Sequence, residues 1–222
     1  MRSGPKLPLM VAGVDVGGAR KGFHAVALKD GAYHSQRSSK NAAEIAEWCR
    51  DAIQAQVIAI DAPCCWRSTS EARLSERQLL REGITCFLTP TRDEAVSHAT
   101  NYYGWMLNGE ALFHALAPTH PLCQSLPLVA GQPCCFETFP HAITQALSDA
   151  PTRARDKRVV RRGLLARAGV VTDALTNIDL MDAALCALAA HFVAVGSPCR
   201  CYGETDTGLI VVLEGKPMDP GL

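Results

Sequence analysis

From Val11 to Val16 the chain is almost continuously apolar and reads as a buried strand. Gly22 to Lys29 alternates around Phe23, Ala25 and Ala27, and Ala32 to Arg37 supplies another short strand after the turn Asp30-Gly31. Their adjacency predicts an antiparallel meander. Asn41 is placed to cap a helix running to about Gln54, in which Ala43, Ile45, Ala46, Trp48, Cys49 and Ile53 recur at helical spacing. Val57 to Ile60 follows as a buried strand. After a loop-like stretch from Pro63, Ser70 precedes a charged helix, Glu71 to Glu82, stopped by Gly83.

Arg92 to Ala117 has a helical pattern interrupted by Gly104 and Gly109, and the segment to Pro133 has no period, so a helical and loop insertion is expected over 92–133. Cys134 to Thr138 reads as a strand and Pro140 opens a helix to about Leu147. Arg155 to Ala168 and Asn177 to Val195 complete the helices. The expected fold is α/β: a mixed five-stranded sheet flanked by helices, with its first strands antiparallel, later ones parallel to the first through helical crossovers, and a final short strand at Gly208 to Leu213. Arg2, Gly4, Pro5, Lys6 and Pro8 favour a flexible arm over 1–8, which leaves 9–222 as a single domain.

In this pattern an acid stands where each of several apolar runs stops: Gly13-Val14-Asp15, Ile60-Asp61-Ala62-Pro63, Phe136-Glu137-Thr138-Phe139-Pro140, and Asn177-Ile178-Asp179-Leu180-Met181-Asp182. The right-handed crossover rule sets Asp15 and Asp61 side by side at the carboxyl ends of adjacent parallel strands. Such acids are well supported yet open to solvent, and several of them point to one shared hard-cation site. Each also has a plainer role. Asp15 suits a turn before the pair Gly17-Gly18, and Asp61 suits a cap before Pro63. Alternation sends Phe136 to one face and Glu137 to the other, as in a surface strand. Asp179 and Asp182, at i and i+3, complement the dipole of a helix start. The run from Ala183 to Ala190 is apolar almost all round, however, so that helix is buried and its acids need a partner.

Composition narrows the possibilities. The 222 residues are 48% hydrophobic and 20% charged with zero formal charge, which excludes a disordered chain and a whole-protein basic field for nucleic acid. The 6% aromatic content argues against a broad single-strand stacking surface and leaves room for a narrow groove. Ala183 to Val195 is too short for a bilayer span of about 20 residues, so no membrane segment is expected. Ten cysteines without a secretory signal fit a reducing cytoplasm. Cys64-Cys65, Cys134-Cys135 and Cys199-Arg200-Cys201 lack zinc spacing and read as small hydrophobes.

The ordered set Gly13-Val14-Asp15 with Lys21-Gly22, Ile60-Asp61-Ala62-Pro63, Glu76-Arg77 with Arg81 and Gly83, Phe136-Glu137-Thr138-Phe139-Pro140, and Asp179-Leu180-Met181-Asp182-Ala183 with Cys186-Ala187 resembles the DUF429 family. That family is described as predicted nucleases with a ribonuclease H-like fold. The resemblance runs from about Val11 to Leu213. It implies Asp15, Asp61 and Asp182 as ligands of Mg2+ or Mn2+, with Glu137 and Asp179 beside them in the catalytic set, and phosphodiester hydrolysis as the activity.

The basic stretch Arg153 to Arg167 offers phosphate contacts, with Lys157 and Arg161, or Arg158 and Arg162, sharing a helical face. Lys21, Arg73, Arg77, Arg158 and Arg162 are taken as substrate-binding residues, toward nucleic acid or a phosphorylated small molecule. His141 follows the Glu137 strand closely and is a further candidate. Two other functions fit these residues. One is a non-catalytic nucleic-acid or protein-binding module; the other is a phosphotransferase of the actin-like superfamily, whose first phosphate motif Gly13 to Gly18 resembles.

Overall fold

A computed structural model describes residues 7–126, 132–148 and 153–215. Most of the arm expected over 1–8, and Pro127 within the expected loop, lie outside the described residues. Strands β1 (Met10–Val16), β2 (Phe23–Lys29) and β3 (Ala32–Ser39) pair antiparallel in sequence. The turn between β2 and β3 uses Asp30 and Gly31, both at positive φ (50° and 83°), as a tight hairpin of matching twist demands. Helix α1 (Ala42–Glu47), capped by the Asn41 side chain on the Ala43 amide, continues as one wide π-type turn, Trp48–Ala52. The chain then enters β4 (Val57–Asp61), parallel to β1.

Helices α2 (Leu74–Arg81), α3 (Arg92–Ser97) and α4 (Gly104–Leu116) separate β4 from β5 (Cys134–Glu137), which is parallel to β4. Helices α5 (Pro140–Leu147), α6 (Lys157–Arg167) and α7 (Ile178–Ala194) precede β6 (Cys199–Tyr202) and β7 (Ile210–Leu213). The sheet has seven strands in the order β3-β2-β1-β4-β5-β7-β6, which corrects the expected five. Antiparallel pairing is not confined to the first strands either, because β6 runs antiparallel to β7. The one strand with no counterpart in the sequence reading, Cys199–Tyr202, sits at an edge with Arg200 and Cys201 exposed, and so shows no buried alternation.

Two cores sandwich the sheet. On one face α7 lies across β1, β2 and β4, burying Val11, Val57, Ala59 and Phe136; on the other α1 and α4 cover Ala12, Val14, Ile58 and Ile60. The close fit of α7 on β1 rests on Gly13, where a Cβ atom would lie 2.0 Å from the Ala187 amide nitrogen. No helix among the described residues is long and apolar enough to cross a membrane.

A carboxylate and arginine cleft at the ends of the parallel strands

Parallel pairing of β1 and β4 puts Asp15 opposite Asp61 in register, so both side chains leave the sheet on the α7 face at neighbouring strand ends. They line a cleft of ≈690 Å³ together with Gly17, Gly18, Phe87, Trp105, Phe139, His141, Arg153, Lys157, Arg161 and Asp182. Behind Asp15 the chain folds back on itself. The Gly17 amide donates to the Gly22 carbonyl at 2.7 Å, and Asn108 of α4 holds the Gly17 carbonyl at 2.7 Å. Lys21, at the end of this turn, pairs with Asp179 at 2.7 Å and ties it to the first turn of α7, whose start is fixed by Asn177 capping the Leu180 amide.

The electrostatics are those of crowded acids in a poorly solvated place. Burial, and then the Asp179 charge, raise the Asp15 carboxyl from 3.8 to about 7, against the opposing pull of Lys21, Lys157 and Arg161. Asp61 is pushed well above the ordinary carboxylate range, first by burial and next by Asp15. The cations come from α6. Lys157 lies 3.5 Å from Asp182, and the fully buried Arg161 is in direct contact with the same carboxylate. Burial shifts His141 down, and Arg161 and Lys157 add to the effect, which favours the neutral imidazole.

The expected acids Asp15, Asp61 and Asp182 all line this cleft. Among the described residues no set of three or more His, Cys, Asp or Glu side chains is arranged to hold a metal ion. Asp182 is engaged by Arg161, and Glu137 is placed elsewhere for a geometric reason. The register pairs Glu137 with Ile60, not Asp61, and this sends its side chain to the opposite face. There it accepts two hydrogen bonds from Arg73 (2.8 and 2.7 Å) and one from the Cys64 amide (2.9 Å). Arg73 also donates to Glu76 at 2.8 Å, so this expected phosphate contact is instead the centre of a buried ion triad.

Three other expected contacts are likewise occupied. Arg77 pairs with Glu71. Arg158 donates to the Thr176 carbonyl at 2.7 Å, and Arg162 donates to the Thr172 and Leu175 carbonyls, both at 3.0 Å, so together they clamp the loop before α7. It is the other face of α6, carrying Lys157 and Arg161, that turns to the acids. Arg161, Phe87 and Trp105 are therefore site residues that no single motif announced. For Arg161 the i, i+4 spacing with Lys157 was the available signal; for Phe87, between Gly83 and Arg92, there was none. All ten cysteines are free thiols. Cys65 sits beside the triad with its thiol drawn down to about 7, first by the hydrogen bond from Cys64.

The Asp15 shift fixes the sign of a pH effect. Between 3.8 and about 7 the folded protein holds a proton that the unfolded chain has released, so stability of the cation-free protein falls as pH rises through that window. Asp15→Asn should remove the penalty and raise the neutral-pH stability by roughly 2–4 kcal/mol. Thermal melts in chelator at about pH 5 and about pH 8 check this, since the gain must be clearly larger at the higher pH; a loss at both would show that the ionised carboxylate has a structural partner.

A family model described as "Protein of unknown function (DUF429)" matches residues 13–207. No curated protein matches the chain. Among solved structures, RuvC of Thermus thermophilus is similar at 14% identity and a TM-score of 0.45, over 85% of this chain and 98% of that one. T. thermophilus RuvC in complex with Holliday junction substrate is similar at 15% identity and a TM-score of 0.42, over 85% of this chain and 97% of that one. The family match includes Asp15, the Asp61 strand and the helix bearing Asp182, and by it this chain belongs to the DUF429 family.

Proposed function

We propose that the protein hydrolyses phosphodiester bonds with a divalent cation, Mg2+ or Mn2+, held by Asp15 and Asp61. The observation that carries this reading is the in-register pairing of these two acids at the floor of a cleft whose other wall is cationic. The strand order, with β1 between an antiparallel neighbour and a parallel one, supports the ribonuclease H-like domain that the family resemblance implies.

The donor set fits such an ion. Two neighbouring carboxyls whose ionised forms are penalised by burial and by each other gain most from a small hard cation. Mg2+ is commonly bound by one or two carboxylates, with water and substrate phosphate completing its shell. When bound, the ion would supply Lewis-acid polarisation and a more acidic water. The chain's own residues do the rest. Lys157 meets phosphate oxygens from the opposite wall, and behind it Asp182 holds the buried Arg161 guanidinium, whose charge is permanent. His141 places an imidazole at the cleft wall, and burial shifts its pKa down, which favours the unprotonated ring that can accept a proton. Lys21 and Asp179 hold the Gly17–Gly22 turn so that backbone closes one side.

The test is cleavage of labelled DNA, RNA and a synthetic phosphodiester with Mg2+, with Mn2+, and with chelator. Metal-dependent cleavage is expected, and Asp61→Asn should reduce it by about 100-fold or more, the scale of losing a metal's charge stabilisation. Cleavage that Asp61→Asn leaves intact, or that none of the substrates undergoes, would overturn the assignment.

A further inference from the structure

Phe87 lies on the connection between α2 and α3 with 62% of its surface exposed, and it lines the same cleft as Asp15 and Asp61. A lone exposed phenylalanine requires no explanation. This one packs against Trp105 of α4 in a T-shaped pair, ring centroids 5.9 Å apart and planes at 62°, and its exposure leaves ring surface of Phe87 open. Phe139 adds a third ring to the cleft, and Arg153 and Lys157 place cations in it. Carboxylates, cations and an open aromatic face thus share one concavity. Its ≈690 Å³ is the size of a small-ligand pocket.

Resting on the phosphodiester reading above, we propose that Phe87 and Trp105 form a stacking platform for an unpaired nucleobase, so that the cleft takes nucleic acid with a single-stranded nucleotide beside the phosphate it holds. Every base has a π-face, so such a platform is tolerant of sequence. A paired base has both faces covered by its neighbours and must be extruded before it can stack elsewhere, which makes a duplex the poorer ligand. The negative backbone complements Arg153 and Lys157 while the base covers apolar surface that otherwise faces water.

The experiment reads binding, not cleavage: anisotropy of a labelled single strand and of a blunt duplex of equal length, in Ca2+, for the wild type, Phe87→Ala and Phe87→Tyr. The single strand should bind at least about tenfold tighter than the duplex, and Phe87→Ala should weaken it by about 5- to 150-fold with little change for the duplex. Phe87→Tyr should retain most of the affinity. Because Phe87 is exposed, the alanine variant should fold. Equal binding of the two ligands overturns the proposal, as does equal weakening of both by Phe87→Ala, or displacement of the strand by a nucleoside monophosphate of equal affinity. Metal-dependent cleavage without single-strand preference would remove the platform and keep the hydrolase. Phe87-dependent strand binding without cleavage would do the reverse.

Discussion

Gly13→Val should yield little or no folded protein. A Cβ at position 13 would meet main-chain atoms, with the Ala187 nitrogen at 2.0 Å, the Ala183 carbonyl oxygen at 2.3 Å and the Cys186 carbonyl carbon at 2.6 Å. A flexible side chain can swing away, but a helix backbone moves only as a unit. Here the unit is α7, buried on nearly every side from Leu180 to Ala190 and bearing Asp182 at its start. The loss should exceed the ~1–3 kcal/mol of ordinary overpacking and pass about 4 kcal/mol, beyond the margin of many domains. Gly18→Ala is the control, because nothing lies within 4 Å of a Cβ there. Urea midpoints and soluble yield decide the matter; a Gly13→Val protein with the native midpoint would mean that α7 does not sit this close to β1.

Arg73→Ala should cost about 3–5 kcal/mol, the scale of breaking a buried pair by removing one partner. It would strand two acids, since Glu76 is 1% exposed and Glu137 5% exposed, and Arg73 is the cation that contacts both. Removing the charges together is expected to be far milder. In a double-mutant cycle, Arg73→Met with Glu137→Leu should recover much of the loss, because desolvation of the surviving acid dominates the single-variant effect. A fall of less than about 1 kcal/mol for Arg73→Ala would show that water reaches the triad. The same network explains why α2 begins at Leu74, not earlier as its charged pattern suggests. Arg73 is drawn inward to Glu137, and its backbone is extended (φ −54°, ψ 146°) in place of a first helical turn.

What the sequence exposed and what it hid divide along physical lines. Strands β1 to β5 and helices α5 to α7 were legible because their apolar positions recur at fixed periods over several residues, and Asp15 and Asp61 were legible because strand ends are visible where apolar runs stop. The β1–β4 pairing followed from crossover handedness alone. Facing was harder. Successive helical residues are about 100° apart, so the run from Lys157 to Arg162 offers two basic faces, and only packing of α6 against α7 decides that Arg161 meets Asp182 while Arg162 meets carbonyls. Glu137 faces the other side of the sheet from Asp61 because of a single residue of register, which alternation within its own strand does not reveal. Phe87 stands in a coil whose path depends on contacts distant in sequence, and no local pattern reports such a path.

The ion pair between Lys21 and Asp179 joins residues 158 positions apart, and α7 covers the strands that the first third of the chain lays down. During synthesis, β1, β2 and β4 are therefore finished long before the helix that buries their Gly13 face exists. At roughly 5–20 residues per second, the wait on the ribosome lasts many seconds. Throughout it a flat apolar strip around Val11, Val26 and Ala59 has no cover, which makes this interval the one in which a nascent chain most needs a chaperone and in which a stalled product would aggregate.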